Sequence, residues 1–274
     1  ARLAVFSLFA MAVAQSNSAA RMAWNKPVKP FRIAGNIYYV GMAGVSSFLV
    51  VTPAGDILLD GGLPESAAPI ERNIAALGFH VRDVKYLLNS HAHYDHCGGL
   101  AKLKRESGAQ MIASQGDAPA LASGDQPGFS SAPAVKVDRI IDDGATVTLG
   151  GVLLTAHITP GHTKGCTTWT MPVTEGGRKY NVLFYCSTSV VDNLVNNRNY
   201  PNIAADYEAS FQKLRALPCD IFLGSHPGFF NMDEKLRRRA AGGPNPFIDP
   251  AEYRAFVDHS EQDFRAALKK QTVK

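Results

Sequence analysis

Three histidines and one aspartate stand within the six residues from His91 to His96, and any fold of this chain must accommodate that cluster. Imidazole and carboxylate groups are the ligands that zinc and related divalent metals use in proteins. In an extended segment, residues two apart point the same way, so His91 and His93 can converge on one metal while Asp95 and His96 serve a second. The cluster predicts a metal site rather than a solvated loop that is merely rich in histidine.

Two further histidines lie in turns that follow predicted strands. His162 is in a Thr-Pro-Gly-His-Thr turn, and His226 is in a Gly-Ser-His-Pro-Gly turn. A turn at the end of a strand is where a rigid scaffold presents functional groups. Either histidine alone could equally serve the turn itself, but beside the first cluster both are predicted to be ligands. The remaining histidines are expected to have core, supporting or surface roles: His157, His80 and His259.

Composition limits the class of protein. Hydrophobic residues make up 46% of the 274 residues, enough to bury a sizeable core, so wholesale disorder is excluded. The net charge of +4 is too weak to indicate nucleic-acid binding. The basic run Arg237–Arg239 is accordingly expected to be a solvated helix face and not a phosphate-binding patch.

The N-terminus differs from the rest of the chain. Arg2 precedes an apolar run that ends in Ala12-Val13-Ala14, a pattern of small residues typical of signal-peptide cleavage sites. Residues 1–19 therefore indicate a secretory signal or its remnant; the alternative is a retained helix packed on the domain. The run is too short to span a bilayer, so we expect an exported, soluble mature protein in residues 20–274.

The hydrophobic pattern predicts two successive blocks of β-meander and helices. Because no repeat or linker divides the chain, we expect one domain in which the two blocks stack sheet on sheet, with helices outside. Strands are predicted at Asn36–Val40, Ser46–Val51, Asp56–Asp60, Val84–Leu88, Gln110–Ala113, Val137–Ile141, Thr146–Leu149, Val152–Ile158, Thr167–Met171, Tyr180–Tyr185 and Asp220–Gly224. Helices are predicted at Glu65–Leu77, Gly98–Ser107, Ile203–Leu217 and Pro250–Lys270.

The order of these motifs resembles the metallo-β-lactamase superfamily. His-x-His-x-Asp-His follows an apolar strand, and Pro-Gly-His-Thr and Gly-Ser-His-Pro-Gly come after it, while Leu58–Gly62 fits the first motif of the superfamily. The resemblance runs from about residue 30 to about residue 270. It implies an α+β fold, a four-layer αββα sandwich in which two mixed sheets pack face to face with helices outside. That architecture agrees with the predicted order of elements.

Ser187 indicates the branch of the superfamily. Glyoxalase II and lactonases place a metal-bridging aspartate at this point, and the best-known zinc β-lactamases place a cysteine there. Serine is typical of the third subclass of class B β-lactamases, which Cys166 and the segment Leu217–Asp220 also resemble. The resemblance implies two zinc ions. It assigns six ligands: His91, His93 and His162 to the first zinc, and Asp95, His96 and His226 to the second.

Such sites imply hydrolysis of the β-lactam amide bond in penicillins, cephalosporins and carbapenems, and hence antibiotic resistance. Zinc lowers the pKa of bound water to about 7, so hydroxide is available to attack the carbonyl carbon. The first zinc is expected to polarise the carbonyl oxygen and the second to stabilise the departing nitrogen, while Asp95 orients the hydroxide. We expect a periplasmic monomer that acts on a small molecule and binds neither nucleic acid nor, once mature, a membrane.

Two other functions remain as alternatives. One is another metal-dependent hydrolase of the same superfamily, a lactonase or a thioester hydrolase, although an aspartate is missing at Ser187. The other is a non-catalytic metal-binding protein. It is disfavoured because structural zinc sites are usually closed and rich in cysteine.

Four residues are expected to support the ligands or the substrate. By resemblance, Ser187 and Ser189 are candidates to hydrogen-bond the substrate carboxylate, or else they are turn serines without such a role. Trp24 either lines the cleft, as an aromatic residue does in relatives, or only packs. Asp60 is expected to orient a ligand-bearing loop.

The four cysteines allow three full pairings, among which the sequence alone does not choose. By resemblance, a disulfide between Cys166 and Cys186 is expected. Many members of the subclass bridge the equivalent of Cys219 to the C-terminal helix, but this chain has no cysteine after Cys219. Cys97 is expected to be a small buried thiol rather than a metal ligand.

Overall fold

The computed structural model describes residues 19–125 and 130–273, so the predicted signal segment lies outside the described residues except for Ala19. Two mixed sheets form the centre of the molecule. The first has the order β1-β2-β3-β4-β5-β6-β7, and the second has the order β12-β11-β10-β9-β8. The strands of the first sheet are β1 Phe31–Ala34, β2 Ile37–Tyr39, β3 Phe48–Thr52, β4 Gly55–Leu59, β5 Val84–Leu88, β6 Gln110–Ser114 and β7 Arg139–Ile141. The strands of the second are β8 Thr146–Leu149, β9 Val152–Ile158, β10 Thr167–Glu175, β11 Arg178–Tyr185 and β12 Ile221–Gly224.

Strand direction changes within each sheet. The pairs from β1 to β4 are antiparallel, as the predicted meander requires, whereas the pairs from β4 to β7 are parallel. In the second sheet only β11 and β12 are parallel. Each parallel pair needs a crossover connection, and helices supply the long connections.

Helices cover the outer faces of both sheets. The described helices are α1 Ala67–Ala76, α2 Tyr94–Cys97, α3 Leu100–Ser107, α4 Ala118–Ser123, α5 Ile203–Ala216, α6 Met232–Ala240 and α7 Pro250–Thr272. Short 3₁₀ turns occupy Pro64–Ser66, Val81–Asp83 and Pro227–Phe230. Among the described residues, no helix combines the length and apolar character needed to cross a bilayer.

Successive side chains along the strands of the first sheet point alternately into two apolar cores. Phe48 and Val50 of β3 point into the core shared with the second sheet, where Trp169 and Phe184 also lie. Leu49, between them, points into the core under α1 and α3. Because successive side chains alternate, a strand that is apolar at every position is buried on both faces. The predicted four-layer sandwich, helices outside two facing sheets, is therefore confirmed.

The predicted element bounds are wrong in a few places. Strand β1 and helices α2, α4 and α6 were not predicted, because each is short or polar. Strand β10 runs beyond the predicted end at Met171, through Pro172. Strand β9 pairs with β10 only over Thr167–Thr170, so Pro172 lies where that edge of β10 has no neighbour and a missing N–H costs nothing.

Candidate metal centre

The predicted ligands meet at one edge of the sandwich, at the ends of strands from both sheets. Strand β5 ends at Leu88 and delivers the histidine cluster, and the turn between β9 and β10 carries His162. Strand β12 ends at Gly224, two residues before His226. Two groups form there: the first group, His91, His93 and His162, and the second group, Asp95, His96 and His226.

The three imidazoles of the first group surround a common point. Their ligand atoms all lie within 4.8 Å of one another. The ring centroids are 4.8 Å apart for His91 and His93, 4.6 Å for His91 and His162, and 4.7 Å for His93 and His162. His91 and His93 precede α2 in non-helical backbone, as the predicted extended segment requires. Asp95 and His96 instead lie on the short helix α2.

A backbone carbonyl orients His162. Its Nδ1 donates to the carbonyl oxygen of Ser189 at 2.7 Å, which leaves Nε2 to face the other two imidazoles. The hydroxyl of Tyr207 donates to the same carbonyl at 2.8 Å. The preceding Gly161 has φ of 136°, and a Cβ there would lie 2.7 Å from the Tyr207 ring. Only glycine fits this approach of the turn to α5.

The second group is equally close-set. The Oδ2 atom of Asp95 lies 3.2 Å from Nε2 of His96 and 3.6 Å from Nε2 of His226, and the two Nε2 atoms are 3.1 Å apart. Ligands about 2.05 Å from a tetrahedral zinc stand about 3.3 Å from one another. Nδ1 of His226 donates to the carbonyl oxygen of Gly44 at 2.8 Å, so its Nε2 faces inward.

The donor atoms fit zinc. Three imidazoles in one group, and two imidazoles with a carboxylate in the other, match the nitrogen and oxygen ligands that catalytic zinc uses. Nδ1 of His96 is buried without a hydrogen-bond partner among the described residues, and Oδ2 of Asp60 is the nearest acid at 3.9 Å. A cation at Nε2 of His96 would fix that ring with Nδ1–H directed at Asp60, the arrangement typical of metal-bound histidine.

The electrostatics keep most of the imidazoles neutral. Burial, with the neighbouring imidazoles, lowers the pKa of His93 to about 3 and the pKa values of His162 and His226 to about 4, and it holds that of His91 well below its ordinary value. Neutral rings keep the lone pair that a metal needs. Burial acts oppositely on Asp95, but His96 and His226 outweigh it and hold the Asp95 pKa below its usual range.

Asp60 contacts the segment that leads into the histidine cluster. Its Oδ1 accepts from the backbone N–H of Ser90 at 2.7 Å and from the side chain of Asn89 at 3.3 Å. Burial raises the pKa of Asp60 to about 6. Its backbone adopts φ of 63°, an uncommon conformation for a residue other than glycine.

Sequence reasoning missed Asp117, a second buried carboxylate. Its Oδ2 accepts from the backbone N–H of Ala92 at 2.9 Å and from the hydroxyl of Thr163 at 3.0 Å, while Oδ1 accepts from the N–H of Gly165 at 2.9 Å. It thus joins the segment that carries His91 and His93 to the turn that carries His162. Asp117-Ala118-Pro119 is a helix-start signature that could have drawn attention to it.

The expected substrate serines lie apart from the cavity beside the first group. Ser187 is buried, and its Oγ accepts from the N–H of Ser189 at 3.2 Å, as in a local turn. A cavity of about 510 Å³ adjoins His93 and His162, and among its described lining residues neither serine occurs. The ring of Trp24 is 5.7 Å from that of His226, so Trp24 packs against the second group.

The remaining histidines lie outside both groups. Nε2 of His157 lies 2.8 Å from the hydroxyl of Thr170, a neighbouring strand residue, so it belongs to neither group. His80 is exposed, and His259 is an exposed neighbour of Asp263 on α7.

The structure contains the disulfide that the resemblance implied, between Cys166 and Cys186, with a Cα–Cα distance of 5.9 Å. Cys186 Sγ lies 3.6 Å from Nδ1 of His91, so the disulfide is directly behind the first group. Cys97 is a buried thiol and Cys219 a half-buried one. Neither Cys97 nor Cys219 belongs to a metal-ligand cluster among the described residues.

Solved structures of β-lactamases resemble the chain along most of its length. BJP-1, a subclass B3 metallo-β-lactamase of Bradyrhizobium japonicum, is 45% identical with a TM-score of 0.88, and the match covers 92% of this chain and 97% of that one. FEZ-1, a metallo-β-lactamase from Legionella gormanii, is 40% identical with a TM-score of 0.88, covering 91% of this chain and 99% of that one.

Curated relatives carry a different name. A hydroxyacylglutathione hydrolase of Rhodospirillum rubrum is 29% identical over 163 residues, which are 59% of this chain and 54% of that protein. A protein of the same name from a Bradyrhizobium species is 30% identical over 176 residues, 64% of this chain and 59% of its own length. The chain thus spans a little over half the length of these relatives.

The model of the metallo-β-lactamase superfamily matches residues 40–226, more than half of the chain, and this range contains all six residues of the two groups. The fold and the family model agree, so the chain belongs to the metallo-β-lactamase superfamily, and it is similar in structure to the subclass B3 member BJP-1.

Proposed function

We propose that this protein hydrolyses the β-lactam amide bond with two zinc ions, one held by the first group and one by the second. The observation that carries the proposal is the pairing of two three-ligand groups with a serine at position 187. Zinc supplies a Lewis acid and lowers the pKa of bound water to about 7. The similarity to subclass B3 β-lactamases over nine-tenths of the chain supports the same activity.

The chain's own residues position the reaction. The carbonyls of Ser189 and Gly44 fix the rings of His162 and His226, so these two of the six ligands need no reorganisation when substrate arrives. Asp95 stays ionised, which makes it an acceptor able to hold and orient the proton of an attacking water. The cavity beside His93 and His162 lies within the range of about 300–1,000 Å³ usual for small-molecule sites.

Thioester hydrolysis is the second candidate, because the curated relatives are named hydroxyacylglutathione hydrolases. Position 187 distinguishes the two candidates. Its Oγ is engaged with the N–H of Ser189, and a hydroxyl there provides no bridging carboxylate. This favours the β-lactamase reading of the site over the thioesterase one.

A substrate panel with metal analysis tests the proposal. We expect purified protein with two zinc ions per chain to hydrolyse a penicillin or a carbapenem, and we expect a chelator to abolish the reaction and added zinc to restore it. Lactones and glutathione thioesters run alongside should react at least tenfold more slowly. Turnover of the thioester without turnover of any β-lactam would make the second candidate the function.

The same proposal includes export to the periplasm, action on a small molecule and a monomeric state. The apolar run at Leu3–Ala14 motivates the first of these, and it lies outside the described residues. Fractionation of cells that produce the complete protein would test it: β-lactamase activity in the cytoplasmic fraction alone would contradict export.

A further inference from the structure

A third cluster of metal-ligand atoms overlaps the first group. One ligand atom from each of His91, Cys166 and Cys186 lies within 4.8 Å of the other two. All three side chains are almost fully buried. In this cluster the sulfurs face Nδ1 of His91, the ring nitrogen on the side of Cys186. The disulfide at present occupies both sulfurs, so the cluster can bind a cation only when that bond is open.

Reduction would leave each thiol with a partner already in place. The Sγ atom of Cys166 lies 3.4 Å from the carbonyl oxygen of Ser187, and the Sγ atom of Cys186 lies 3.2 Å from that of Ser90. A thiol is a weak donor, and a carbonyl at this distance accepts from it. The hydroxyl of Ser90 is also 3.1 Å from Nδ1 of His91, so a hydrogen bond holds that nitrogen on the side of the sulfurs.

We propose that reduction of the Cys166–Cys186 disulfide creates a third metal site, in which the two thiolates and His91 bind a divalent thiophilic cation such as Zn²⁺ or Cd²⁺. A dithiol breaks the S–S bond by becoming a disulfide itself, and its two protons pass to the sulfurs of Cys166 and Cys186. A phosphine breaks the same bond by becoming a phosphine oxide, and water supplies the oxygen and both protons. The arriving cation displaces both protons to solvent. Thiolates about 2.3 Å from one ion stand at most about 4.6 Å apart, a separation that cysteines with Cα atoms 5.9 Å apart reach by side-chain rotation.

Charge selects a divalent cation. Two thiolates neutralise a divalent cation, and neutrality matters here because a net charge in a buried site is costly. A monovalent cation would leave one negative charge in the core. Sulfur ligands select thiophilic metals over magnesium or calcium, which prefer oxygen. Two sulfurs and one nitrogen fill three positions of a tetrahedral zinc and leave the fourth for a further ligand.

The third site competes with the first group because both use His91. A neutral imidazole offers one lone pair, so a cation at Nδ1 of His91 leaves the ring proton on Nε2 and removes His91 from the first group. The redox state of the disulfide therefore controls the metal centre. In the oxidised protein His91 serves the first group, and in the reduced protein a thiophilic metal takes His91 into the third site. The loss of hydrolysis in the reduced state rests on the proposed function, whereas formation of the site does not.

Cobalt spectroscopy of the full chain tests the proposal. Metal-free protein, oxidised or reduced with a phosphine under anaerobic conditions, is titrated with Co²⁺. Nitrogen and oxygen ligands give only weak visible bands, whereas a thiolate ligand adds an intense near-ultraviolet charge-transfer band. We expect that band in the reduced protein and not in the oxidised one, and we expect reoxidation to remove it.

Two variants show which sulfurs are responsible. Cys97→Ser/Cys219→Ser keeps the pair and should keep the band, and Cys166→Ser should lose it. If Cys166→Ser does not fold, Cys186→Ala provides the same comparison. A reduced wild-type protein without the band, or a band unchanged in Cys166→Ser, overturns the proposal. Since the band reports metal–sulfur bonding, absence of β-lactam hydrolysis would contradict only the proposed function.

Discussion

Asp117 shows how one side chain can hold a metal centre that it does not touch. Its carboxylate joins the N–H of Ala92, between two ligands of the first group, to the Thr163–Gly165 turn that follows the third. Burial raises its pKa to about 6, so the folded protein keeps this acid ionised at neutral pH only because three donors converge on it.

Replacing Asp117 by alanine should destabilise the protein and empty the first group. The buried N–H groups of Ala92 and Gly165 lose their acceptor, at about 1–3 kcal/mol each, so we expect a loss of about 2–6 kcal/mol. Urea unfolding and zinc analysis measure the two effects. Asp142→Ala, at an exposed position, is the matched control. Wild-type stability and full zinc content in Asp117→Ala would contradict this role.

Gly161→Ala should misplace His162. The new methyl group would lie 2.7 Å from the Tyr207 ring, and the φ of 136° is one that alanine rarely adopts. We expect a loss of at least about 1 kcal/mol in stability and about tenfold or more in kcat/KM. Gly176→Ala serves as the control, because that glycine also has positive φ but has nothing within 4 Å. Equal kinetics in the two variants would rule out the steric argument.

The residues of the two groups, and Asp60 beside them, could be predicted from the sequence, but the backbone carbonyls that orient the rings could not. Clustered imidazoles and strand-end turns identify His91, His162 and their partners because the chemistry is local. The carbonyls of Ser189 and Gly44, which orient two of the rings, carry no signal in residue type. Any residue has a carbonyl, so such contacts emerge only once the chain is folded.

Among the elements, the strands other than β1 were predictable and the polar helices were not. The bounds of β5, β8 and β9 agree with the prediction, since each is a bounded run of β-branched and apolar residues. Helix α6 has few apolar residues, and the expected solvated face of Arg237–Arg239 is wrong for Arg239. That guanidinium donates to the carbonyls of Arg32 and Ile33 and lies 4.6 Å from the centre of the Phe247 ring.

Helix α6 is held to α7 by a buried ion pair between Lys235 and Glu252. The Lys235 ammonium lies over the rings of Phe230 and Phe247, at 5.8 and 5.4 Å from their centres. Such a pair stabilises the packing of two elements only while both partners remain.

Glu252→Ala should therefore cost more stability than Lys235→Met. Removing the acid leaves a buried ammonium unpaired, at about 3–5 kcal/mol, whereas methionine removes the charge and keeps the packing on Phe230 and Phe247. Thermal unfolding of both variants tests this order. If Lys235→Met were the less stable protein, the contacts of the ammonium with Phe230 and Phe247 would contribute more to stability than removing the buried charge gains. Zinc content should stay unchanged in both.

For the whole molecule, the four-layer order followed from the sequence because element types alternate in two blocks. The parallel pairing in the first sheet could not be predicted from the sequence, because residue patterns do not show which strand a buried strand such as β5 or β6 pairs with. The closeness of the two groups likewise depends on how the two sheets stack. His96 and His226 are 130 residues apart in the chain, but their Nε2 atoms are 3.1 Å apart.

Zinc removal should lower the stability of the entire domain. Each ion binds the folded chain and not the unfolded one, which stabilises the fold by about 2.7 kcal/mol at a free concentration of 100 Kd. For a domain of this size we expect the melting temperature to fall by about 5–10 °C for each site emptied. Scanning calorimetry with and without a chelator measures this. An identical melting temperature in both conditions would mean that the two groups do not hold zinc.

The division of each group between the two blocks of the chain also bears on how the protein comes apart. His91 and His93 must part from His162, and Asp95 and His96 from His226, before the two sheets can separate. We expect bonds to the proposed zinc ions to form late in folding, because each needs both blocks in place, and so to slow unfolding with little influence on the folding rate. The lifetime of the folded protein, more than its equilibrium population, should then follow the zinc supply of its surroundings.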